Sequence, residues 1–291
     1  MKIKSITLGQ IVGFVGITVL IIISWIFIQK NQLNTPSIVP VSPSPIATQI
    51  ETSPSPTATA AASTIPNATA SAKTISRTSK STYTIAAFGD SMVDTMGENL
   101  DYLEKSLKTK YPATTFKLYN YGIGSQNIAE GLNRFHSAFN YKTRQYPPID
   151  QIQADMIILG SFSYNPLSPY DRSAHQQKLA ALINEARSTK AAIYLLAEIA
   201  PLKNGFGKGP GGIDWQEDMI KTHVGHIIEQ LDDTVSTAQS QQVYLINAYK
   251  ASQVDGKYGN KLYVATHDGI HPSIEGQIFV AQIIAASLKF N

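Results

Sequence analysis

The sequence contains no cysteine in its 291 residues. Disulfide bonds, zinc sites with cysteine ligands and thiol catalysis are therefore excluded. Charged residues make up only 15% of the chain, the formal net charge is +3, and Lys and Arg form no basic cluster. Nucleic-acid-binding proteins generally carry a basic surface, so we expect no nucleic-acid partner. The missing cysteines do not assign a compartment, because a domain of this size can be stable without disulfide bonds.

The first 30 residues contain a long uncharged stretch. Lys2 and Lys4 precede Ile6–Ile28, in which Gln10 is the only strongly polar side chain. About 20 apolar residues cross a bilayer as a helix, and no small-residue cleavage pattern follows, so residues 1–30 are predicted to form an uncleaved signal-anchor transmembrane segment. The preceding lysines predict a single-pass protein of the cell membrane, with a cytoplasmic N-terminus and the main body outside the cytoplasm.

Residues 31–80 are rich in Pro, Ser, Thr and Ala and contain few large apolar side chains. Such a segment buries too little surface to offset the entropy lost on ordering it, so it is predicted to be a disordered tether. Its Ser-Pro pairs favour extended conformations, and its composition is compatible with O-glycosylation. As a flexible coil it would reach about 40 Å from the membrane.

Residues 81–291 alternate between two kinds of pattern. Five short apolar stretches are typical of buried strands: Thr84–Phe88, Phe116–Tyr121, Met156–Leu159, Ala191–Ile199 and Gln242–Tyr249. The stretches between and after them have helical patterns: Gly97–Lys110, Asn127–Ala138, Asp171–Ser188, Asp214–Ala238 and Ser273–Leu288. This alternation predicts a single α/β domain, a three-layer α/β/α sandwich with a central, mostly parallel five-stranded sheet. In such sheets, sites form beyond the carboxyl ends of the strands.

Four polar loops follow predicted strands or precede the last helix. They are Gly89-Asp90-Ser91, NYGIGSQN (residues 120–127), GSFSYNP (residues 160–166) and HDGIHPS (residues 267–273). They contain the groups that acyl transfer needs: Ser91 as a nucleophile, His271 as its base, and Asp268 to hold the imidazole tautomer. An oxyanion would need fixed donors, for which the Ser91 amide, a backbone amide in GIGS and the Asn165 side chain are candidates.

Each of these residues can also be interpreted without a role in acyl transfer. Ser91 could instead cap the helix that follows the first strand, and Asp90 could be a turn residue. Asp268 and His271 could form a hydrogen-bonded turn. With His267 they also resemble metal ligands, but no second ligand cluster accompanies them, so no metal and no cofactor are expected.

Aromatic residues beside these loops are ambiguous. Tyr164 and Tyr170 could stack on a sugar or line an acyl pocket, or they could pack against the sheet edge. Trp215 is ambiguous in the same way. His223 and His226, three residues apart on a predicted helix, are interpreted as surface or packing residues.

The segment Lys203–Gly212 includes GKGPGG, which formally fits the G-x-G-x-x-G dinucleotide pattern. It begins well after its strand ends and contains Pro210, whereas the true pattern makes a tight strand-to-helix turn. We interpret the segment as a mobile loop beside the site, with the character of a lid.

Together these motifs resemble the SGNH hydrolases, the superfamily of GDSL-like esterases and lipases. FGDSMVD is similar to its first block, NYGIG to its second and DGIHP to its last, in the right order over about residues 84–290. The resemblance implies a flavodoxin-like sheet. It also implies that Ser91 is the nucleophile and that Asp268 and His271 form the catalytic dyad.

The resemblance implies an oxyanion hole as well, with two departures. In the second block, Gly124 or Gly122 could supply the backbone amide beside that of Ser91. The third block normally reads Gly-x-Asn-Asp, whereas this chain has GSFSYNP. Asn165 is the best equivalent of the missing asparagine, although it falls later than the pattern places it.

The expected function is therefore that of a membrane-anchored, extracytoplasmic serine esterase. The resemblance implies short-chain esters, often acetyl groups on carbohydrate, and the tether makes cell-envelope glycan a plausible substrate. One alternative is an O-acyltransferase that uses a sugar hydroxyl in place of water, although a single span provides no route for importing an acyl donor. The other is a non-catalytic glycan-binding module, against which the intact Ser91, Asp268 and His271 count.

Overall fold

The computed structural model describes residues 78–213 and 215–290. The predicted transmembrane segment and nearly all of the predicted tether lie outside these residues. No helix in the described part of the chain combines the length and the apolar character needed to cross a membrane.

Within the described residues, seven strands and seven helices can be numbered in chain order. The strands are β1 (Thr82–Gly89), β2 (Thr115–Gly122), β3 (Phe139–Tyr141), β4 (Arg144–Tyr146), β5 (Met156–Gly160), β6 (Ala192–Ala197) and β7 (Tyr244–Asn247). The helices are α1 (Ser91–Asp94), α2 (Asp101–Lys110), α3 (Ile128–Arg134), α4 (Arg172–Ser188), α5 (Glu217–Ser240), α6 (Ala248–Ser252) and α7 (Ile274–Ser287), with a 3₁₀ turn at Lys261–Tyr263.

Five strands form one parallel sheet in the order β2-β1-β5-β6-β7. This is the doubly wound order of flavodoxin-like folds, and it confirms the predicted sheet. The chain reverses its direction of winding between β1 and β5, so ligands are expected at the carboxyl ends of these strands. At that edge Gly89 of β1 pairs with Gly122 of β2.

Apolar side chains on the two faces of the sheet form two cores. Ile85 and Ala87 of β1 face one core, and Ala86 and Phe88 face the other, as expected from the two-residue period of a strand. Helices α2 and α7 contribute to the first core with Leu103, Leu107, Val280, Ala281 and Ile284. Helices α3 and α4 contribute to the second with Ile128, Leu179, Leu182 and Ile183. Buried side chains of α5 are divided between both cores.

The ends of several elements differ from their predicted bounds for local reasons. Helix α2 begins four residues later than predicted because Gly97 and Leu100 have left-handed φ values of 95° and 55°. Strand β7 ends at Asn247, whose Oδ1 accepts a hydrogen bond from the Lys250 amide at 2.8 Å and so caps the short helix α6. The sequence predicted strand up to Tyr249, where the chain is already helical.

The antiparallel hairpin of β3 and β4 was not predicted. It pairs Phe139 with Tyr146 and Tyr141 with Arg144. The hairpin lies in the connection between β2 and β5, and its Arg144 and Tyr141 reach the carboxyl end of β2.

Candidate active site

Ser91 lies at the turn between β1 and α1. Asp90 is the N-cap of this short helix, because its Oδ1 accepts a hydrogen bond from the Met92 amide at 2.9 Å. The capping role that the sequence left open for Ser91 therefore belongs to Asp90. Ser91 is half-buried, and across the described residues neither its hydroxyl nor its amide has a hydrogen-bond partner. Both groups are thus available to a ligand.

Helix α1 lies directly on the ends of β1 and β2 because glycine stands at both contacts. A Cβ atom on Gly89 would lie 2.4 Å from Cγ2 of Val93, and one on Gly122 would lie 2.2 Å from the backbone nitrogen of Asp94. A larger residue at either position would push the helix away. The two glycines therefore fix the height of Ser91 above the sheet edge.

Asn120, fully buried at the end of β2, ties α1 in place. Its Nδ2 donates to the carbonyl oxygens of Val93 at 3.0 Å and Gly97 at 2.7 Å, and more weakly to that of Asp94 at 3.3 Å. Its Oδ1 accepts from the Gly122 amide at 2.8 Å. One side chain thus satisfies backbone groups of α1, the turn after it and β2.

Arg144 of the β3–β4 hairpin is a second brace that the sequence did not reveal. Its guanidinium donates to the carbonyl oxygens of Asn120 at 2.8 Å and Gly122 at 3.0 Å, and it pairs with the carboxylate of Asp94. Lys142 lies 2.7 Å from the other oxygen of Asp94. The carboxylate that ends α1 is therefore held by two cations from the hairpin.

Asp268 and His271 form the pair that the sequence predicted. Oδ2 of Asp268 lies 2.7 Å from Nδ1 of His271, and Oδ1 accepts the amides of Ile270 at 2.8 Å and His271 at 3.0 Å. Burial opposes ionisation of Asp268, but the hydrogen bonds from His271 and from the two amides outweigh it, so the pKa of Asp268 lies below its usual value. An ionised Asp268 holds the proton on Nδ1, which leaves Nε2 of His271 as the basic nitrogen.

The charge of His271 acts on Asp90, the residue before Ser91. Burial raises the pKa of Asp90, while hydrogen bonds from Met92 and Asn165 and the nearby charge of His271 act in the opposite direction. No hydrogen bond joins Ser91 Oγ to His271 within residues 78–213 and 215–290, so their direct contact stays a prediction. Such bonds are often long in unliganded enzymes and shorten when substrate binds.

The geometry distinguishes the two glycines proposed for the oxyanion hole. The amide of Gly122 already donates to Asn120, beneath α1. Gly124 lies beside the nucleophile, since a Cβ on it would stand 4.0 Å from Cβ of Ser91. The Gly124 amide points to the hydroxyl of Tyr141, at 3.3 Å. Gly124 is therefore the better candidate.

Asn165 faces the same turn from the third block. Its Nδ2 donates to Oδ2 of Asp90 at 2.8 Å, which fixes the amide group next to Ser91 and leaves its second N–H to a ligand. Phe162 occupies the third residue of the block, where the family pattern has asparagine. Its ring is fully buried, and a Cβ on Gly131 would lie 2.4 Å from it. Phe162 is thus a packing residue, and Asn165 is the polar side chain of this block that reaches the Asp90-Ser91 turn.

Glu198 is a second buried acid near Asp90 and has no role in the sequence-based interpretation. It follows β6 and accepts hydrogen bonds from the amide of Ser161, at 2.8 Å, and from the Ser161 hydroxyl. Burial, together with the negative charge of Asp90, raises the pKa of Glu198 to about 8. The pKa of Asp90 is raised by burial as well, so the two buried acids oppose each other's ionisation.

Glu198→Gln is expected to flatten the pH dependence of stability. A carboxyl group whose pKa is raised in the folded state keeps a proton that the unfolded chain loses, so its contribution to stability falls as pH rises through the window between its unfolded pKa and about 8. Gln cannot lose a proton. From about pH 5.5 to about pH 8.5 the wild-type Tm should therefore fall by about 7–14 °C more than the Tm of the variant. Thermal unfolding at both pH values measures this, and Glu275→Gln on the exposed surface should follow the wild-type profile. Parallel curves for Glu198→Gln and wild type would contradict the assignment.

The two candidate substrate-binding tyrosines have different surroundings. Tyr164 is only 4% exposed, and its hydroxyl donates to the carbonyl of Ile199 at 2.8 Å. Of the two interpretations that the sequence left open for Tyr164, the burial and the hydrogen bond to Ile199 favour packing. Tyr170 is half-buried, stacks on His226 with 3.5 Å between ring centroids, and donates to Glu229 at 2.6 Å. It remains at the surface as part of a groove wall.

The loop Lys203–Gly212 packs against the turn that carries Asp268. The Gly211 amide donates to the carbonyl of His267 at 2.8 Å, and a Cβ on Gly209, whose φ is 129°, would lie 2.3 Å from that same oxygen. The loop therefore lies beside the dyad, as predicted, while its mobility stays a prediction.

The exposed ring of His267 lies against Gly211. In the part of the chain that the structure describes, no group of three His, Asp or Glu side chains is arranged to hold a metal ion.

The fold and the site together define a class of protein. A doubly wound α/β sheet presents a serine after its first strand and an Asp-x-x-His pair before its last helix, which is the arrangement of a serine hydrolase. The chain belongs to the GDSL-like Lipase/Acylhydrolase family, whose model matches residues 85–284. It is accordingly a serine hydrolase that acts on ester bonds. This confirms the predicted resemblance.

Solved structures support the same fold. The lipase/acylhydrolase from Enterococcus faecalis is 17% identical with a TM-score of 0.52, covering 72% of this chain and 98% of its own. The acetyl xylan esterase AlAXEase is 19% identical with a TM-score of 0.51, covering 71% and 100%. A catalytic mutant of an acetylxylan esterase from Geobacillus stearothermophilus is 14% identical with a TM-score of 0.50, covering 72% and 95%. No curated protein sequence is similar enough to this chain to count as a match.

Proposed function

We propose that the protein hydrolyses short-chain, acetyl-type esters on cell-envelope carbohydrate through Ser91, His271 and Asp268. The observation that carries this proposal is the 2.7 Å contact between Asp268 and Nδ1 of His271, near a serine whose hydroxyl has no structural partner among the described residues. Membership of the GDSL-like family favours an enzyme over a non-catalytic glycan-binding module.

The proposed reaction has two steps, the formation of an acyl-enzyme on Ser91 and its hydrolysis. Ser91 Oγ attacks the ester carbonyl carbon while its proton passes to Nε2 of His271, and the carbonyl oxygen becomes an oxyanion. The amides of Ser91 and Gly124 and the side chain of Asn165 donate to this oxyanion. Its collapse expels the alcohol oxygen, which takes the proton from His271. Water then gives a proton to Nε2 of His271 and attacks the acyl carbon, which forms a second oxyanion. Its collapse breaks the bond to Ser91 Oγ, which takes the proton back from His271, and the carboxylic acid is released.

A groove beside the site supports a carbohydrate substrate. It begins at Pro166, one residue after Asn165, and has a volume of about 630 Å³. Its lining includes Ser168, Tyr170, Trp215, Asp218, Met219 and Thr222. Trp215 is 38% exposed, an unusual state for a residue whose ring buries a large apolar area when it packs. An exposed indole beside the carboxylate of Asp218 and the hydroxyls of Ser168 and Thr222 matches a sugar ring, which has apolar faces and a polar edge. The solved neighbours that act on acetylated xylan make the same substrate class plausible.

The location is also a proposal. The uncharged segment Ile6–Ile28 supports a membrane anchor, and the Pro- and Ser-rich residues 31–80 support a tether that lets the domain reach envelope glycan. The partners would then be the membrane, through residues 1–30, and an acetylated glycan.

Trp215→Ala tests the substrate class. The variant should raise KM for an O-acetylated xylo-oligosaccharide about 3- to 10-fold, which is the loss expected for one aromatic contact. Its kcat/KM for p-nitrophenyl acetate should not change, because that ester is too small to fill the groove. Initial rates of acetate release measure both values, and Val254→Ala, which removes an exposed apolar side chain outside the groove, is the control.

Two results would change the proposal. Equal effects of Trp215→Ala on the oligosaccharide and on p-nitrophenyl acetate would show that the groove does not bind the carbohydrate part of the substrate. Transfer of the acetyl group to an added sugar, in place of release as free acetate, would identify the protein as an O-acyltransferase.

A further inference from the structure

The hydroxyl of Tyr141 lies at the candidate oxyanion hole, although nothing in the sequence pattern singled it out. The Gly124 amide donates to this hydroxyl at 3.3 Å. A Cβ on Gly124 would lie 3.1 Å from the same oxygen and 4.0 Å from Cβ of Ser91. The phenol and the nucleophile therefore flank one glycine, and the phenol oxygen accepts the amide proton that an oxyanion would otherwise receive.

The hairpin holds Tyr141 in this position. Tyr141 pairs with Arg144 across β3 and β4, and the guanidinium carbon of Arg144 lies 5.6 Å from the centre of its ring. Lys142 lies 5.1 Å from the same ring. Both cations also bind Asp94 at the end of α1. The residues that brace the nucleophile helix are thus the ones that orient the phenol.

The hydroxyl of Tyr141 has a proton to donate. It serves as acceptor in its contact with Gly124, and it donates to no other group within the described ranges of the chain. A phenol in this state can turn its O–H toward a new acceptor without breaking another hydrogen bond.

We propose that Tyr141 is a further catalytic residue, which donates a hydrogen bond from its phenol to the oxyanion formed on the substrate. The proposal rests on the proposed function of Ser91. When the carbonyl oxygen enters, it replaces the phenol oxygen as acceptor of the Gly124 amide, and the Tyr141 O–H turns to the same oxygen. No proton is transferred in this step: the phenol stays neutral, and the negative charge stays on the substrate oxygen.

The third block differs from the family pattern, and this difference explains why an additional oxyanion donor would be needed. The family pattern places an asparagine at the third residue of Gly-x-Asn-Asp, where this chain has the buried ring of Phe162. Asn165 comes from a later position and is already bonded to Asp90. Tyr141 reaches the hole from the β3–β4 hairpin and adds a donor where the usual set is altered.

Tyr141→Phe tests the proposal, because it removes only the hydroxyl. Loss of one oxyanion donor costs about 10²-fold in turnover, so kcat for p-nitrophenyl acetate should fall by about that factor, with KM changed less than about 3-fold. The rate of inactivation by a fluorophosphonate, which also places charge in the hole, should fall in parallel. The Tm should stay within about 2 °C of wild type, as a check on folding.

Tyr146→Phe is the matched control, since Tyr146 lies on the same hairpin and its hydroxyl contacts the carbonyl of Glu98 at 3.5 Å, whereas the hydroxyl that accepts the Gly124 amide is that of Tyr141. It should retain wild-type kcat. Unchanged or faster turnover by Tyr141→Phe would overturn the proposal, and so would a change confined to KM for an O-acetylated oligosaccharide. A wild-type protein that neither hydrolyses p-nitrophenyl acetate nor reacts with the fluorophosphonate would instead overturn the proposed function, so the two failures are distinguishable.

Discussion

Ser91→Ala is expected to lower kcat for p-nitrophenyl acetate by about 10⁴-fold or more, to the rate that the oxyanion donors sustain without a nucleophile. Alanine removes Oγ, so no covalent acyl-enzyme can form and His271 has no hydroxyl to deprotonate. The fold should be preserved because the N-cap of α1 is Asp90 and not Ser91. Initial rates and the mass of the protein after treatment with a fluorophosphonate measure the effect.

The control for this variant is Ser137→Ala, which changes an exposed serine that follows α3. It should keep wild-type turnover and gain the mass of one phosphonyl group, whereas Ser91→Ala should gain none. Equal labelling and equal turnover in Ser91→Ala and wild type would show that the nucleophile is another residue. Because the two variants make the same chemical change, any difference between them reports on position alone.

The sheet and most helices could be predicted because their signals are local. A strand buried on both faces shows an uninterrupted apolar run, such as Ile85–Phe88, and a helix begins at a capping residue such as Asn127. The pair Asp268 and His271 was predictable for the same reason, since three residues of one turn fix their contact. Nucleophile and dyad were linked by the rule that sites form at the carboxyl ends of parallel strands, and by the resemblance of separate motifs to a family.

Other parts of the site had no local signal. Strands β3 and β4 have three residues each, and the turn between them contains Lys142 and Thr143 in place of the glycine or asparagine that marks most tight hairpins. Arg144 and Tyr141 therefore could not be assigned to the site from sequence. Glu198 offered a weak signal, because an acid that ends an apolar strand pattern must either leave the sheet or be buried with partners.

Tyr164 is a residue whose role the sequence left open. Its position after a strand at the site edge suited contact with substrate as well as packing, because the sequence could not show where its hydroxyl would find an acceptor. In the structure it donates to Ile199, and the ring joins the first core. A tyrosine suits both a binding surface and a core, so its role depends on which acceptor the fold brings within reach.

Asn120→Ala is expected to cause the largest loss of stability among single changes at the site. The side chain is fully buried and serves carbonyl oxygens of Val93, Asp94 and Gly97 together with the amide of Gly122. In the alanine variant the carbonyls of Val93 and Gly97 keep the amides of Met96 and Leu100. The carbonyl of Asp94 and the amide of Gly122 lose the Asn120 side chain as partner, and each group left unsatisfied costs about 1–3 kcal/mol. We expect a loss of about 3 kcal/mol or more in the free energy of unfolding, which corresponds to a fall in Tm of about 6–12 °C.

Asn140→Ala, on an exposed position of β3, is the matched control and should change stability by less than about 0.5 kcal/mol. Thermal unfolding compares the two variants, and equal Tm values would show that the Asn120 hydrogen bonds do not hold α1.

The activity of Asn120→Ala, measured below its Tm, tests whether Asn120 also positions the nucleophile. Since Asn120 bonds the end of α1 and its following turn, a loosened helix should displace Ser91 from Gly124 and His271, and kcat should fall even where the protein is folded. Stability and nucleophile position are then linked through one side chain at the end of β2.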